Sequence, residues 1–301
     1  MNYMYKGTDL LEFIDTFSNQ DDCLKYIAEI KWSKNSYKCK KCGSENYCKG
    51  KREYSRRCTK CKYDESVTAG TMFERIEFDI LRAFHILYAL SVRKKGISSY
   101  EIESEFSISQ ETCWKFRNKV QKIMKSSELF PLQGNVDVDE FLVGGPEEGK
   151  RGRSHGKKKL IIIALERLSE NKFGRSYMRQ IKKSSTEEFR PFFNAHISKN
   201  AMVRTDNWSA YTALRDAYLN IEQIDSADGK NFRELHIQIM NFKGWLRGIH
   251  HHCSKTHMQG YLDEYCYRFN RRNNLDTIFH KLLKRMVISS SLDNSSAMQL
   301  G

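Results

Sequence analysis

No stretch of this 301-residue sequence approaches the roughly 20 consecutive apolar residues that a membrane span requires. The N-terminus, with Asp9, Glu12 and Asp15, lacks the basic-then-apolar layout of a secretory signal. Acid is in deficit: 37 Asp and Glu stand against 51 Lys and Arg, leaving a net charge of +14 and a pI of about 9.3. Such a chain reads as cytoplasmic and nucleoid-associated, or nuclear in a eukaryotic host. Its nine cysteines are then expected as thiols or metal ligands, not disulfides. The charge calls for a polyanionic partner, nucleic acid before an acidic membrane. Apolar residues at 40% and aromatics at 12% are enough for two or three folded domains.

Residues 1–30 have an amphipathic helical pattern through Leu10, Leu11, Phe13, Ile14, Phe17, Leu24, Ile27 and Ile30. Two Cys-x-x-Cys knuckles follow, Cys39/Cys42 and Cys58/Cys61, with 15 residues between Cys42 and Cys58. That spacing predicts a four-thiolate zinc ribbon over 31–75, a module too small to fold on its apolar area alone. The lysines and arginines around it favour phosphate contact. A helical segment over 76–130 carries a helix-turn-helix pattern. Ser98 or Ser99 caps the first helix, Ser107-Ile108-Ser109 turns, and the second helix presents Lys115, Arg117 and Asn118 to DNA.

Beyond Pro131 the pattern becomes strand-like at 135–143, at 160–165 and around 177–181, with a helix near 186–197. In the first strand Asp137 and Asp139 fall on one face. Two readings stand side by side: a hard divalent cation on the carboxylates, or an edge strand with both in solvent. The loop Lys150 to Lys159 is basic, and Lys157, Lys158 and Lys159 are candidates to hold a DNA backbone. Asp206 ends a short strand, where open α/β sheets place their chemistry, or it caps the helix that follows. His236 and Lys243, seven apart on a helix, share a line with Met240 and Arg247; Asn241 competes for the polar role. The run His250 to His252, with His257, suits DNA contact or structural hydrogen bonds better than a metal. The tail 289–301 is expected to be disordered.

Together these motifs resemble a known family. The ribbon, the helix pair, Asp139-Glu140-x-x-x-Gly144-Gly145 and Thr205-Asp206 precede Gly248-x-x-His251-His252-x-Ser254-x-x-His257. The last block is Tyr261-Leu262-x-Glu264-x-x-x-Arg268-Phe269-Asn270-Arg271-Arg272. The whole is similar to zinc-ribbon insertion-sequence transposases, relatives of Merlin-type transposons. The resemblance implies a multidomain chain: zinc ribbon, helix-turn-helix domain, and an α/β RNase H-like (DDE-type) catalytic domain over 131–288. It implies catalytic Asp139, Asp206 and His236 with Lys243 as basic partner, in place of the commoner third glutamate. Asn241 stays in reserve, and Glu234 is a further alternative. It implies one structural Zn²⁺ and two catalytic Mg²⁺ or Mn²⁺ ions, and a homo-oligomer acting on terminal inverted repeats and target DNA. Arg247, Arg268, Arg271 and Arg272 join the DNA-contact candidates. The implied activity is metal-dependent strand cleavage and strand transfer. The alternatives are a DNA-binding regulator with an inactive catalytic domain, and a nuclease that never joins strands.

Overall fold

The computed structural model describes residues 4–33, 37–144, 158–169, 172–250 and 253–289. They fall into two compact units, 1–123 with 273–300, and 124–272. The expected tail beyond Ser289 and the loop residues up to Lys157 lie outside the described residues, as do His251 and His252.

In the first unit the N-terminal amphipathic stretch is two helices, α1 (Leu10–Thr16) and α2 (Gln20–Lys31). Each has its own cap: Asp9 accepts from the N–H groups of Leu11 and Glu12, and Asn19 accepts from that of Asp22. Three short strands form the ribbon, β1 (Tyr47–Lys49), β2 (Arg56–Cys58) and β3 (Asp64–Glu65), paired antiparallel in that order. Buried Glu65 is met by Lys31 of α2 at 2.8 Å. Then come α3 (Ile80–Val92), α4 (Ser99–Phe106) and α5 (Gln110–Met124). Ser98 and Glu101 form a reciprocal capping box at the start of α4, and Ser107, at φ +53°, closes it in the left-handed region.

The core of this unit is aromatic. Phe17 meets Phe84 of α3, with centroids 5.1 Å apart, and both Phe13 and Phe17 meet Phe279, the Phe13–Phe279 centroids lying 5.0 Å apart. Phe279 belongs to the C-terminal helix Leu275–Ile288, which packs on α2 and α3. Met72 N–H donates to the Met286 carbonyl, and Gly7 N–H to that of Asp276. The second unit therefore ends near 272 and not at the 288 expected for the last domain. A helical pattern in sequence does not say which core the helix completes.

The second unit is a mixed five-stranded sheet with helices on both faces. Its strands are β4 (Asn135–Val143), β5 (Lys159–Ser169), β6 (Lys172–Ile181), β7 (Met202–Thr205) and β8 (Ile221–Gln223). They lie in the order β6-β5-β4-β7-β8. The first three form an antiparallel meander; β7 runs parallel to β4, and β8 parallel to β7. Alternation along β4 assigns the two faces. Val136 and Val138 pack against α6 (Thr186–His196) and α7 (Ser209–Thr212) through Phe189, Phe193 and Tyr211. Phe141 packs against α8 (Arg233–Ile249) and α9 (Met258–Phe269) through Leu235, Phe242 and Leu262.

Strand β4 is thus central, which overturns the reading of an edge strand with Asp137 and Asp139 in solvent. Asp137 is fully buried. Its two oxygens receive Nε and Nη2 of Arg204 at 2.8 and 2.9 Å, and Arg167 Nε lies 3.0 Å from Oδ1. A buried carboxylate needs partners, and here two guanidiniums supply them where a cation had been one candidate.

Candidate functional site

Asp139 lies two residues further along β4, on the face toward α8. His236, in the first turn of that helix, brings Nε2 to 3.4 Å from Asp139 Oδ2. The Asp139 bond raises the imidazole pKa against the opposing effect of burial. Gly229, at φ +87°, lies against the ring: a Cβ there would come within 2.3 Å of Nδ1. A residue with a side chain would push the imidazole aside.

Asp206 stands one residue past the end of β7. The parallel register pairs Asp137 with Arg204. Continued by two residues, it sets Asp206 level with Asp139. Asp206 Oδ1 receives the Trp208 N–H at 3.0 Å, so it does begin the turn into α7. Among the described residues only the four cysteines form a set of three or more His, Cys, Asp or Glu ligands within 4.8 Å of one another. Asp139 and His236 are paired by their 3.4 Å contact.

The other candidates for the third position separate by direction. Asn241 is exposed on α8, five residues from His236 and well round the helix from it. Glu234 lies near Arg204 and Arg167, at the Asp137 end of the strand. Lys243 sits with its ammonium 5.4 Å from the Phe141 ring centroid. Burial, with Arg247 and Lys158 nearby, lowers its pKa. Lys243, a partly desolvated ammonium whose charge also acts on His236, thus borders the Asp139–His236 pair. Sequence reasoning missed one neighbour altogether: Tyr211, fully buried on α7, donates to Glu140 Oε2 at 2.7 Å.

The DNA-contact candidates divide by exposure. Lys115 is exposed and pairs with Glu111 at 2.7 Å, and Asn118 is half-buried. Arg117 is only 3% exposed, because its position on α5 faces the interior of the unit. Arg272 is engaged by the sheet: Nη1 donates to Gly174 O at 3.1 Å and Nη2 to Phe173 O at 2.6 Å, and the guanidinium stacks on Phe269 at 3.9 Å. Arg271 stacks on Tyr267 at 3.8 Å, and Arg268 is half-buried. Lys158 and Lys159 are half-buried and Arg247 is exposed.

In the first unit the four cysteine sulfurs gather as the spacing predicted. Cys39 Sγ lies 3.5 Å from Cys61 Sγ, and Cys42 Sγ 3.6 Å from Cys58 Sγ. A tetrahedron with Zn–S bonds near 2.3 Å has edges of about 3.8 Å. The set fits a thiolate metal site, and the N–H groups of Cys61 and Lys60 help bring the Cys58 thiol down to about 6. Gly43 and Lys62, each just after a knuckle, take positive φ, and their N–H groups donate back to Cys39 O and Cys58 O.

Residues 131–270 match the family described as the ISXO2-like transposase domain. This chain carries a transposase domain. The match falls wholly within the second unit and contains Asp139, Asp206, His236 and Lys243. No curated protein sequence matches the chain.

Proposed function

We propose that the chain is a DNA transposase that binds the terminal inverted repeats of its element and catalyses metal-dependent strand cleavage and strand transfer. The match of residues 131–270 to a transposase domain carries this reading. The strand order, with an antiparallel meander flanked by two parallel strands, supports an RNase H-like arrangement. The pairing of Asp139 with His236, and the register that levels Asp206 with Asp139, support these three as the catalytic positions.

The donor set suits Mg²⁺ or Mn²⁺: two hard carboxylates and one borderline imidazole. Asp139, Asp206 and His236 would hold the cations. Once bound, they would supply charge neutralisation at a phosphodiester and activation of the attacking oxygen. The protein's own part follows from its side chains. Asp139 orients the His236 imidazole through their hydrogen bond. Lys243, a partly desolvated ammonium beside Arg247 and Lys158, would gain a partner in a phosphate oxygen and anchor the strand next to Asp139 and His236. The four cysteines would hold one structural Zn²⁺.

DNA contact falls to Lys115 and Asn118 on a helix-turn-helix formed by α4 and α5, and to Lys158, Lys159, Arg247, Arg268 and Arg271. Arg117 and Arg272 are assigned to structure, and Lys157 lies outside the described residues. Action at two element ends suits a homo-oligomer. The test incubates a labelled terminal-repeat end with a plasmid target and Mg²⁺ or Mn²⁺. Transposition yields both a nicked end and a joined product; a nuclease yields only the nick, and a regulator neither.

A further inference from the structure

Glu140 and Tyr211 were no part of the sequence-level site, yet they lie between its two aspartates. Glu140 follows Asp139 on β4, and alternation turns it to the face of α6 and α7, away from His236. There it receives the Tyr211 hydroxyl at 2.7 Å. Tyr211 belongs to the short helix that begins just after Asp206. Its N–H donates to Trp208 O, and the Trp208 N–H in turn donates to Asp206 Oδ1. Gln223 Nε2 pins the same turn through Trp208 O at 2.9 Å. On the other side, the Glu140 N–H lies 2.7 Å from Asp139 Oδ1.

The chain of contacts therefore runs from Asp139 through Glu140 and Tyr211 to the turn that carries Asp206. Its middle link has little freedom. The Tyr211 ring is fully buried and stacked on Phe189, with centroids 4.7 Å apart and planes at 22°. Burial, with the Glu140, Asp139 and Asp206 carboxylates nearby, holds the phenol well above its ordinary pKa, so it stays a donor. A buried hydroxyl that lost this acceptor would remain unsatisfied, which is costly.

We infer that Glu140 and Tyr211 are positioning residues, a strut that fixes the separation of the Asp139 and Asp206 carboxylates and thereby the affinity of the site for a divalent cation. The inference rests on the catalytic assignment of those two aspartates. Groups that orient a metal ligand from outside contribute about 10–100-fold to affinity.

The test measures Mn²⁺ binding by the free-ion electron paramagnetic resonance signal, on zinc-loaded full-length protein without DNA. Tyr211→Phe removes the hydroxyl and keeps the ring. It is expected to weaken Mn²⁺ binding about tenfold in the natural background and not at all in a Glu140→Ala background. Wild-type affinity in Tyr211→Phe, or equal weakening in both backgrounds, overturns the strut. Glu140→Gln and Glu140→Ala lose the same charge, but only Gln keeps an acceptor for Tyr211. Gln is expected to bind Mn²⁺ several-fold more tightly than Ala, and equal affinities overturn the strut even should Tyr211→Phe not fold. Asp139→Ala is the separate control: if it keeps wild-type Mn²⁺ affinity, the catalytic assignment itself fails, whatever Tyr211 does.

Discussion

Separated by 97 positions in sequence, His236 Nε2 and Asp139 Oδ2 stand 3.4 Å apart, one on the first turn of α8 and the other on the central strand β4. On the proposed assignment, an imidazole at this place leaves the site one negative charge short of three carboxylates, and it is a softer ligand. His236→Ala is expected to reduce cleavage about a hundredfold or more. His236→Glu is expected to tighten Mg²⁺ relative to Mn²⁺. Titration of both ions against wild type and variant checks this, and an unchanged Mg²⁺ to Mn²⁺ ratio counts against the role given to His236.

Gly229 tests the same site without touching a ligand. A Cβ at this position would come within 2.3 Å of the His236 ring, and φ +87° disfavours any side chain. Gly229→Ala is expected to lower cleavage about 10–100-fold with far-ultraviolet circular dichroism unchanged. Wild-type activity in this variant would mean that the imidazole needs no such space.

Much of this arrangement was legible in the sequence because it rests on local pattern. Period-two alternation placed β4 over 135–143, where it runs from Asn135 to Val143, and Cys-x-x-Cys spacing placed the metal knuckles. Three features were not legible, and each depends on a contact distant in sequence. Asp137 shares its pattern with Asp139, and only Arg204 and Arg167 reveal it as structural. Arg117 and Arg272 look like DNA contacts by type, but burial claims one and the carbonyls of β6 claim the other. Nothing in the apolar rhythm of Leu275–Ile288 says that its partners are Phe13 and Phe84.

The basic block at the end of α9 gives a contrast between stability and binding. Asn270 grips β6 at two points, accepting the Ser176 N–H at 2.7 Å and donating to Ser176 O at 2.9 Å. Asn270→Ala leaves two backbone groups without partners and is expected to cost about 1–3 kcal/mol. Arg272→Ala is expected to act in the same direction. In both, the salt dependence of DNA binding should stay as in wild type, because both side chains are engaged by the backbone of β6. Melting curves and a salt series of DNA affinities check this. A shallower salt slope in Arg272→Ala would return that residue to the interface.

Asp263 on α9 gives the chain a pH-dependent stability. Burial raises its pKa to about 7, opposed by the bond from Gln259 and by nearby Lys125 and Arg179. The folded value lies above the unfolded value of about 3.9, so the folded state holds the proton more tightly between them. The stabilising contribution is thus complete below about pH 4 and is lost as pH rises through about 7. Asp263→Asn is expected to raise the melting temperature by about 2–4 °C at pH 7.5 and by less at pH 5. Melting curves at the two pH values check the sign; a larger gain at pH 5 would reverse it.

Zinc removal should separate the two metal sites. A chelator strong enough to strip thiolate-bound zinc is expected to release one ion per chain and to melt the ribbon. Cys58→Ser is expected to contain no zinc and to lose terminal-repeat binding, while the second unit keeps its Mn²⁺ affinity. Full zinc occupancy in Cys58→Ser would contradict the four-thiolate site.

The most direct test of the whole account is the terminal-repeat assay, run on wild type, Asp139→Ala and Asp206→Ala with zinc content and DNA binding held equal. The expected result is nicked ends and joined plasmid products from wild type only, dependent on added Mg²⁺ or Mn²⁺, with both variants binding DNA yet forming neither product. Products of unchanged yield from Asp139→Ala or Asp206→Ala would contradict it.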